Sequence, residues 1–317
     1  MISIHLEDGT VSVENIPCPS RPAGYALIRL LHAGICSTDL QLQRGYYGFA
    51  GTPGHEFVGE VTACDNVRWL GKKVVGEINL ACGNCDFCAK GLGRHCLHRT
   101  VLGIVSHPGA FAEFLTLPEQ NLHEIPPQVS PLDAVFTEPL AAACEILDQV
   151  SIPIGAPVAV LGDGKLGLLI AQVLQLHGAQ VHLYGRHPEK MRLVSPLGIV
   201  SHLAASETPQ PAYEFTVEAT GSSAGLEQAV ALTRPRGALV MKSTVHDKVS
   251  IDTAPVIVNE ISLIGSRCGR FAPALDLLAQ GKLILQPLIE DRFPLREAPG
   301  AFARAAEKGA LKVLLDN

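Results

Sequence analysis

Four cysteines fall within fifteen residues, in CGNCDFCAKGLGRHC, as Cys82, Cys85, Cys88 and Cys96 with two, two and seven residues between them. Thiolates two residues apart on a tight turn can face one ion at about 2.3 Å, and four of them close a tetrahedral zinc site. Such a closed site stabilises a lobe and offers no open position for chemistry. Gly83, Gly91 and Gly93 supply the backbone freedom the loop needs. An iron–sulfur run also opens C-x2-C-x2-C, but it continues x3-C-P; the seven-residue gap and the missing proline disfavour it. Four unconnected buried thiols are the plainer alternative, and this density of cysteine argues against it. His95 and His98 read as surface neighbours rather than ligands.

Upstream, GICSTDLQLQRGYYGFAGTPGHEFVGE places Cys36 after an apolar stretch and His55-Glu56 at the start of another. A catalytic zinc takes three protein ligands and keeps the fourth position for water or substrate. Cys36 and His55 offer a thiolate and an imidazole, although such a pair nineteen residues apart is more often unconnected. Glu138, a carboxylate inside the apolar run VFTEPLAAACEIL, is one candidate third ligand. It reads equally well as a helix-start residue favoured by the local dipole. Glu56 could also reach the metal or stand behind a ligand.

A third constellation is GDGKLG, in which Gly162, Gly164 and Gly167 frame Asp163, Lys165 and Leu166 as G-x-G-x-x-G. It follows the apolar strand VAVL and opens a helix, the context in which this motif binds the pyrophosphate of a dinucleotide. NAD enzymes carry Asp or Glu at the end of the next strand for the ribose 2′-hydroxyl. Here that strand ends Leu183-Tyr184-Gly185-Arg186-His187 without an acid. Gly185 leaves room and Arg186 can pair with a 2′-phosphate, so NADP(H) is expected over NAD(H). The alternative is that Arg186 is a solvated loop cation and both cofactors are accepted.

These groups need elements to hold them. Over roughly the first 150 residues the chain reads as short strands broken by Gly and Pro: 26–35, 55–61, 72–78 and 111–117. Beyond that, strands at 158–161, 180–186, 215–221, 237–243 and 261–267 alternate with helices at 188–198 and 225–234. That alternation predicts a parallel, doubly wound α/β sheet. Two more helices, 273–281 and 297–309, precede a terminal strand KVLLD. A length of 317 residues points to two domains. With a net charge of −6 and no basic run beyond two residues, neither nucleic acid nor an anionic membrane is an expected partner. No secretory signal and no membrane span are read, so the expected compartment is the cytoplasm. There, nine cysteines serve metal rather than disulfides.

Taken in order, GICSTD, GHEFVGEV, the four-cysteine loop, GAFAEF, the EPL segment, GDGKLG and the C-terminal KVLL resemble the zinc-dependent medium-chain alcohol and polyol dehydrogenase family over essentially the whole chain. The resemblance implies a β-rich GroES-like catalytic domain, 1–150 completed by 269–317, and a Rossmann dinucleotide-binding domain, 151–268. It implies two zinc ions per chain and hydride transfer between an alcohol or carbonyl substrate and NAD(P). It makes Cys36 and His55 catalytic zinc ligands, Glu138 the carboxylate of the polyol and sugar branch, and Glu56 a neighbour that can approach the metal. Thr38 falls where a hydroxyl passes on the substrate proton; no His follows before His55, and Gln41 stands in that stretch. Gly185, Arg186 and His187, with Lys312 near the C-terminus, are implied at the cofactor. The family also implies dimers or tetramers, with ISLIGSR as a pairing edge. Tyr46, Tyr47, Phe49 and Phe111 could line an apolar substrate pocket, although aromatics near turns are more often packing residues. Rival readings are a zinc-independent enone or quinone reductase of the same fold, or a dinucleotide-binding protein without turnover.

Overall fold

The computed structural model describes residues 1–204, 210–244 and 250–317. The chain divides into two compact units, residues 1–138 with 271–317 and residues 139–270. The sequence places the first boundary near 150, where its texture changes. The structure places it twelve residues earlier, because the helix Thr137–Gln149 is bound into the second unit. Lys242 donates to the carbonyl of Ala142 at 2.7 Å, and Gln149 donates to that of Gly265 at 3.2 Å.

The first unit is β-rich. Its central strand Tyr25–Gly34 alternates buried and half-buried residues, the pattern of a strand with one face on a core. It pairs antiparallel with Glu56–Ala63, with Phe114–Pro118 and with the terminal strand Lys312–Asp316. Ile289–Pro294 extends the sheet on one side, parallel to the terminal strand, and Lys73–Gly76 and Leu122–Glu124 extend it on the other. Thus the last residues of the chain lie beside the strand that leads into Cys36.

The second unit is a six-stranded parallel sheet. In space its strands run Val200–Leu203, Gln180–Gly185, Pro157–Leu161, Tyr213–Glu218, Thr233–Met241 and Ser262–Gly265. That is the doubly wound order in which the chain leaves the sheet centre in one direction and then the other. Ligands of such sheets bind outside the carboxyl ends of the strands near that switch. The strand Pro157–Leu161 has four fully buried residues after its first, as a strand covered on both faces requires. Ser262–Gly265 is an edge, with Leu263 partly exposed. Among the described residues no helix is long and apolar enough to cross a membrane.

Candidate functional site

The four-cysteine loop closes on itself. The short helix Asp86–Ala89 starts after Cys85, and a single 3-10 turn, Gly93–His95, delivers Cys96 inward. The sulfurs of Cys82 and Cys96 are 3.4 Å apart, those of Cys85 and Cys88 3.6 Å, Cys85 and Cys96 3.7 Å, and Cys82 and Cys88 3.9 Å. Sulfurs at the corners of a tetrahedron around a zinc at 2.3 Å are separated by about 3.8 Å. The donor set therefore fits that ion in both type and spacing. Backbone N–H groups prepare the thiolates. Those of Cys82 and His98 point at the Cys96 sulfur from 3.5 and 3.3 Å. The N–H of Cys88 leads the interactions that bring the Cys85 thiol down to about 6. Burial, followed by the Cys85 side chain, pushes Cys88 up to about 11. Four thiolates this close cannot all ionise without a cation among them.

A second cluster is assembled by the turn after strand Tyr25–Gly34 and by the start of strand Glu56–Ala63. Metal-binding atoms of Cys36, His55 and Glu56 lie within 4.8 Å of one another. Cys36 caps the helix Ser37–Gln43, its sulfur accepting from the N–H of Thr38 at 3.5 Å. The Thr38 hydroxyl oxygen is 3.7 Å from the same sulfur. Three residues into the helix, Asp39 returns one carboxylate oxygen to the N–H of Cys36 at 2.8 Å. Its other oxygen faces Nδ1 of His55 at 3.4 Å, and neither atom has a hydrogen-bond partner. A fully buried carboxylate behind one imidazole nitrogen leaves Nε2 to serve as a metal ligand, the outer arrangement common to zinc-bound histidine. Burial disfavours a charged His55, but Asp39 and Cys36 outweigh it and hold its pKa well above the usual value. One thiol, one imidazole and a buried carboxylate, with the unpartnered Asp39 oxygen behind the imidazole, suit a divalent cation. Asp39 is a residue the sequence reading missed, although its position three after a helix-capping Cys36 was a signal.

Glu56 is paired with Lys312 through Oε2, and both are 1% exposed. Burial works against the Lys312 ammonium, but Glu56, then Cys36, and more weakly Glu138 keep its pKa above the usual lysine value. Lys312, expected at the cofactor, thus has its ammonium on the metal cluster's own glutamate. Glu138 stands in the first turn of its helix and is not among the three clustered ligands. Phe111 takes the commoner of its two readings and is core, not pocket lining. It is wholly buried, lies against Gly54 so closely that any side chain there would meet its ring, and meets Phe302 edge-on at 5.9 Å. The rings of Tyr46 and Tyr47 meet at 4.1 Å, tilted by 34°, with Tyr47 largely exposed, and Phe49 is half-buried.

In the second unit GDGKLG forms the turn between strand Pro157–Leu161 and helix Lys165–His177. Gly162 has φ 119°, and a side chain on it would meet the carbonyl of Ala219 at 2.6 Å. A side chain on Gly167 would collide with the carbonyl of Gly162, so helix and strand can approach only through glycine. Beside Gly164 there is open space, and no side chain caps the helix it begins. An anion at that helix start would meet N–H groups and the positive end of the dipole. Lys165 and Leu166 are half-buried in the first turn. Around Gly185 the sequence expectation needs correcting: the room left by the missing side chain is filled by the carboxylate of Asp163. Arg186 is exposed, and the ring of His187 faces Asp163 at 3.1 Å.

Comparison with known proteins points the same way in both units. Residues 22–127 match the family described as alcohol dehydrogenase GroES-like domain, and residues 166–280 match zinc-binding dehydrogenase. The chain is 29% identical to a sorbitol dehydrogenase of Halalkalibacterium halodurans, over 97% of this chain and 96% of that protein. It is 31% identical to an L-threonine 3-dehydrogenase of Streptomyces avermitilis, over 95% and 94%. Among solved structures, a protein of Sinorhizobium meliloti 1021 crystallised with NADP shares its fold with a TM-score of 0.90 at 29% identity, covering 100% and 99% of the two chains.

Proposed function

From a chain that belongs to the zinc-binding medium-chain alcohol and polyol dehydrogenases, we propose an enzyme that interconverts a secondary alcohol or polyol and its carbonyl form, with zinc and a nicotinamide dinucleotide. The observation that carries this reading is the convergence of half-buried Cys36 with buried His55 and Glu56, with Asp39 behind the imidazole.

Zinc, when bound, supplies a Lewis acid that makes an alcohol oxygen easier to deprotonate, and the nicotinamide accepts the hydride. Cys36 and His55 would hold the metal. Glu56 lies with them, but Lys312 engages one of its oxygens, so we take Glu138, the carboxylate of the polyol-branch resemblance, as third ligand and Glu56 as its reserve. Asp39 fixes the imidazole so that one nitrogen stays available. Thr38, beside the Cys36 sulfur, takes the substrate hydroxyl proton. Cys82, Cys85, Cys88 and Cys96 would hold a second, structural zinc. Glycines 162, 164 and 167 shape the turn for the pyrophosphate. Arg186 taken alone favours NADP(H); the carboxylate of Asp163 bears on the same end of the cofactor and favours NAD(H). The exposed sheet edge Ser262–Gly265 suits pairing with a second copy, for which size-exclusion chromatography is the check.

Metal content per chain, before and after a mild chelator, tests the proposal alongside a screen of polyols and secondary alcohols with both dinucleotides. Two zincs, with turnover lost as the more labile one leaves, is the expected result. One tightly held zinc and no turnover with either dinucleotide would overturn it.

A further inference from the structure

Gly185 ends the second strand of the parallel sheet, at the place where an NAD enzyme presents Asp or Glu to the adenosine ribose. A side chain there would meet Oδ2 of Asp163 at 2.5 Å. That oxygen accepts the backbone N–H groups of Arg186 and His187, each at 2.6 Å. The His187 ring nitrogen lies 3.2 and 3.1 Å from the two carboxylate oxygens. Asp163 is the middle residue of Gly-Asp-Gly, on the turn after the first strand, and is 8% exposed. A carboxylate is therefore present at the end of the second strand after all, delivered from the neighbouring turn into the gap that Gly185 leaves.

We propose that Asp163 is the residue that reads the adenosine ribose, accepting the 2′-hydroxyl of NAD(H) and turning away the 2′-phosphate of NADP(H). The proposal rests on the dinucleotide reading above and reverses the preference that Arg186 alone implies. Three observations support it. The N–H groups of Arg186 and His187 are the donors a phosphate at this strand end would need, and both are engaged by Asp163. A carboxylate has about four acceptor positions, so Oδ1 keeps capacity for a donor, which a ribose hydroxyl is and an ionised phosphate is not. Finally, the group is held as an anion: burial alone would raise its pKa, but the N–H and ring of His187 and the N–H of Arg186 outweigh burial and lower it. Against this the exposed guanidinium of Arg186 is a weak counterweight, screened by water.

The test is calorimetric binding of NAD+, NADP+ and ADP-ribose to the full chain and to Asp163→Asn, without turnover. The wild type is expected to bind NAD+ at least tenfold tighter than NADP+. Asp163→Asn, nearly the same shape without the charge, should narrow that ratio at least tenfold, by weaker NAD+ and tighter NADP+ binding. A wild type that prefers NADP+, or a ratio unmoved by Asp163→Asn, overturns the role of Asp163. Should Asp163→Asn fail to fold, Arg186→Ala decides: a ratio of NAD+ to NADP+ affinity that stays within twofold of the wild type supports the proposal, and a selective collapse of NADP+ binding overturns it. ADP-ribose that binds while the two dinucleotides bind alike removes Asp163's role and leaves the dinucleotide reading standing; ADP-ribose that does not bind removes both.

Discussion

Lys312 and Glu56, 256 positions apart in sequence, form an ion pair in which each residue is 1% exposed. A buried pair of this kind adds little over an apolar pair, but removing one partner strands the other charge. Lys312→Met should therefore cost about 3–5 kcal/mol. That corresponds to a fall on the order of 10 °C in thermal midpoint. The double variant Glu56→Gln/Lys312→Met should recover most of the loss. Calorimetric melting of the three proteins checks this, and a double variant no better than the single would show that the charge is not the cause.

Asp39 is wholly buried with one oxygen 3.4 Å from the His55 ring. Outer partners of zinc-bound histidine typically change metal affinity by about 10–100-fold. Asp39→Asn is expected to weaken the labile zinc by that factor while leaving the four-cysteine zinc in place. Competition with a chromogenic chelator measures it; unchanged affinity of both ions would remove Asp39 from the site.

The choice of third ligand separates two single substitutions. Glu138→Gln should lower the zinc content from two to one per chain, whereas Glu56→Gln should retain two. The reverse pattern, read by elemental analysis, would give the ligand role to Glu56.

Cys82→Ser opens the four-sulfur cluster, four of whose six edges are 3.4–3.9 Å. Because binding energy at structural zinc is folding energy, this variant should lose one zinc and melt earlier, while ADP-ribose binding by the second unit stays within twofold. Loss of ADP-ribose binding together with the zinc would contradict it.

His182 and His202 share a hydrogen bond, Nδ1 to Nε2, at 2.9 Å between adjacent strands. Burial, then the neighbouring His202, lowers the His182 pKa. Below the usual imidazole value of about 6.5 the unfolded chain binds a proton that the folded one resists, so stability rises with pH there. His182→Phe should therefore lose less, or gain more, in thermal midpoint than the wild type on going from pH 7.5 to pH 5.5, the opposite contribution of His55 being common to both proteins. An identical slope in the variant would place the effect elsewhere.

Much of the fold is legible because strong local patterns agree with it. The buried run 158–161, the glycine turn and the helix after it leave little choice of element. The four cysteines are legible because their ligand spacing is local. What is not legible depends on residues distant in sequence. Asp163 occupies a motif position that sequence treats as a spacer, and only the turn's path shows it crossing to Arg186 and His187. That Lys312 also pairs with Glu56 is legible only once its strand is seen beside Tyr25–Gly34. That Phe111 packs rather than lines a pocket is legible only once Gly54 and Phe302 are seen to close around it. The hairpin of Ile2–Glu7 and Thr10–Asn15 went unread, though Asp8-Gly9 is a strong two-residue turn signal with positive φ at both positions.

The terminal strand Lys312–Asp316 also fixes an order of events during synthesis. The second unit is one continuous stretch, 139–270, and can close as soon as it has left the ribosome. The first unit cannot. Its sheet lacks Lys312–Asp316, and Glu56 lacks its counter-charge, until residues 312–316 emerge. Cys36, His55 and Glu56 are made early, and the Lys312 partner of Glu56 is made only after the whole second unit has been translated. The Glu56–Lys312 pair beside the metal ligands is thus completed only after the second unit has been made, and nascent chains arrested before residue 312 would carry Glu56 without its counter-charge.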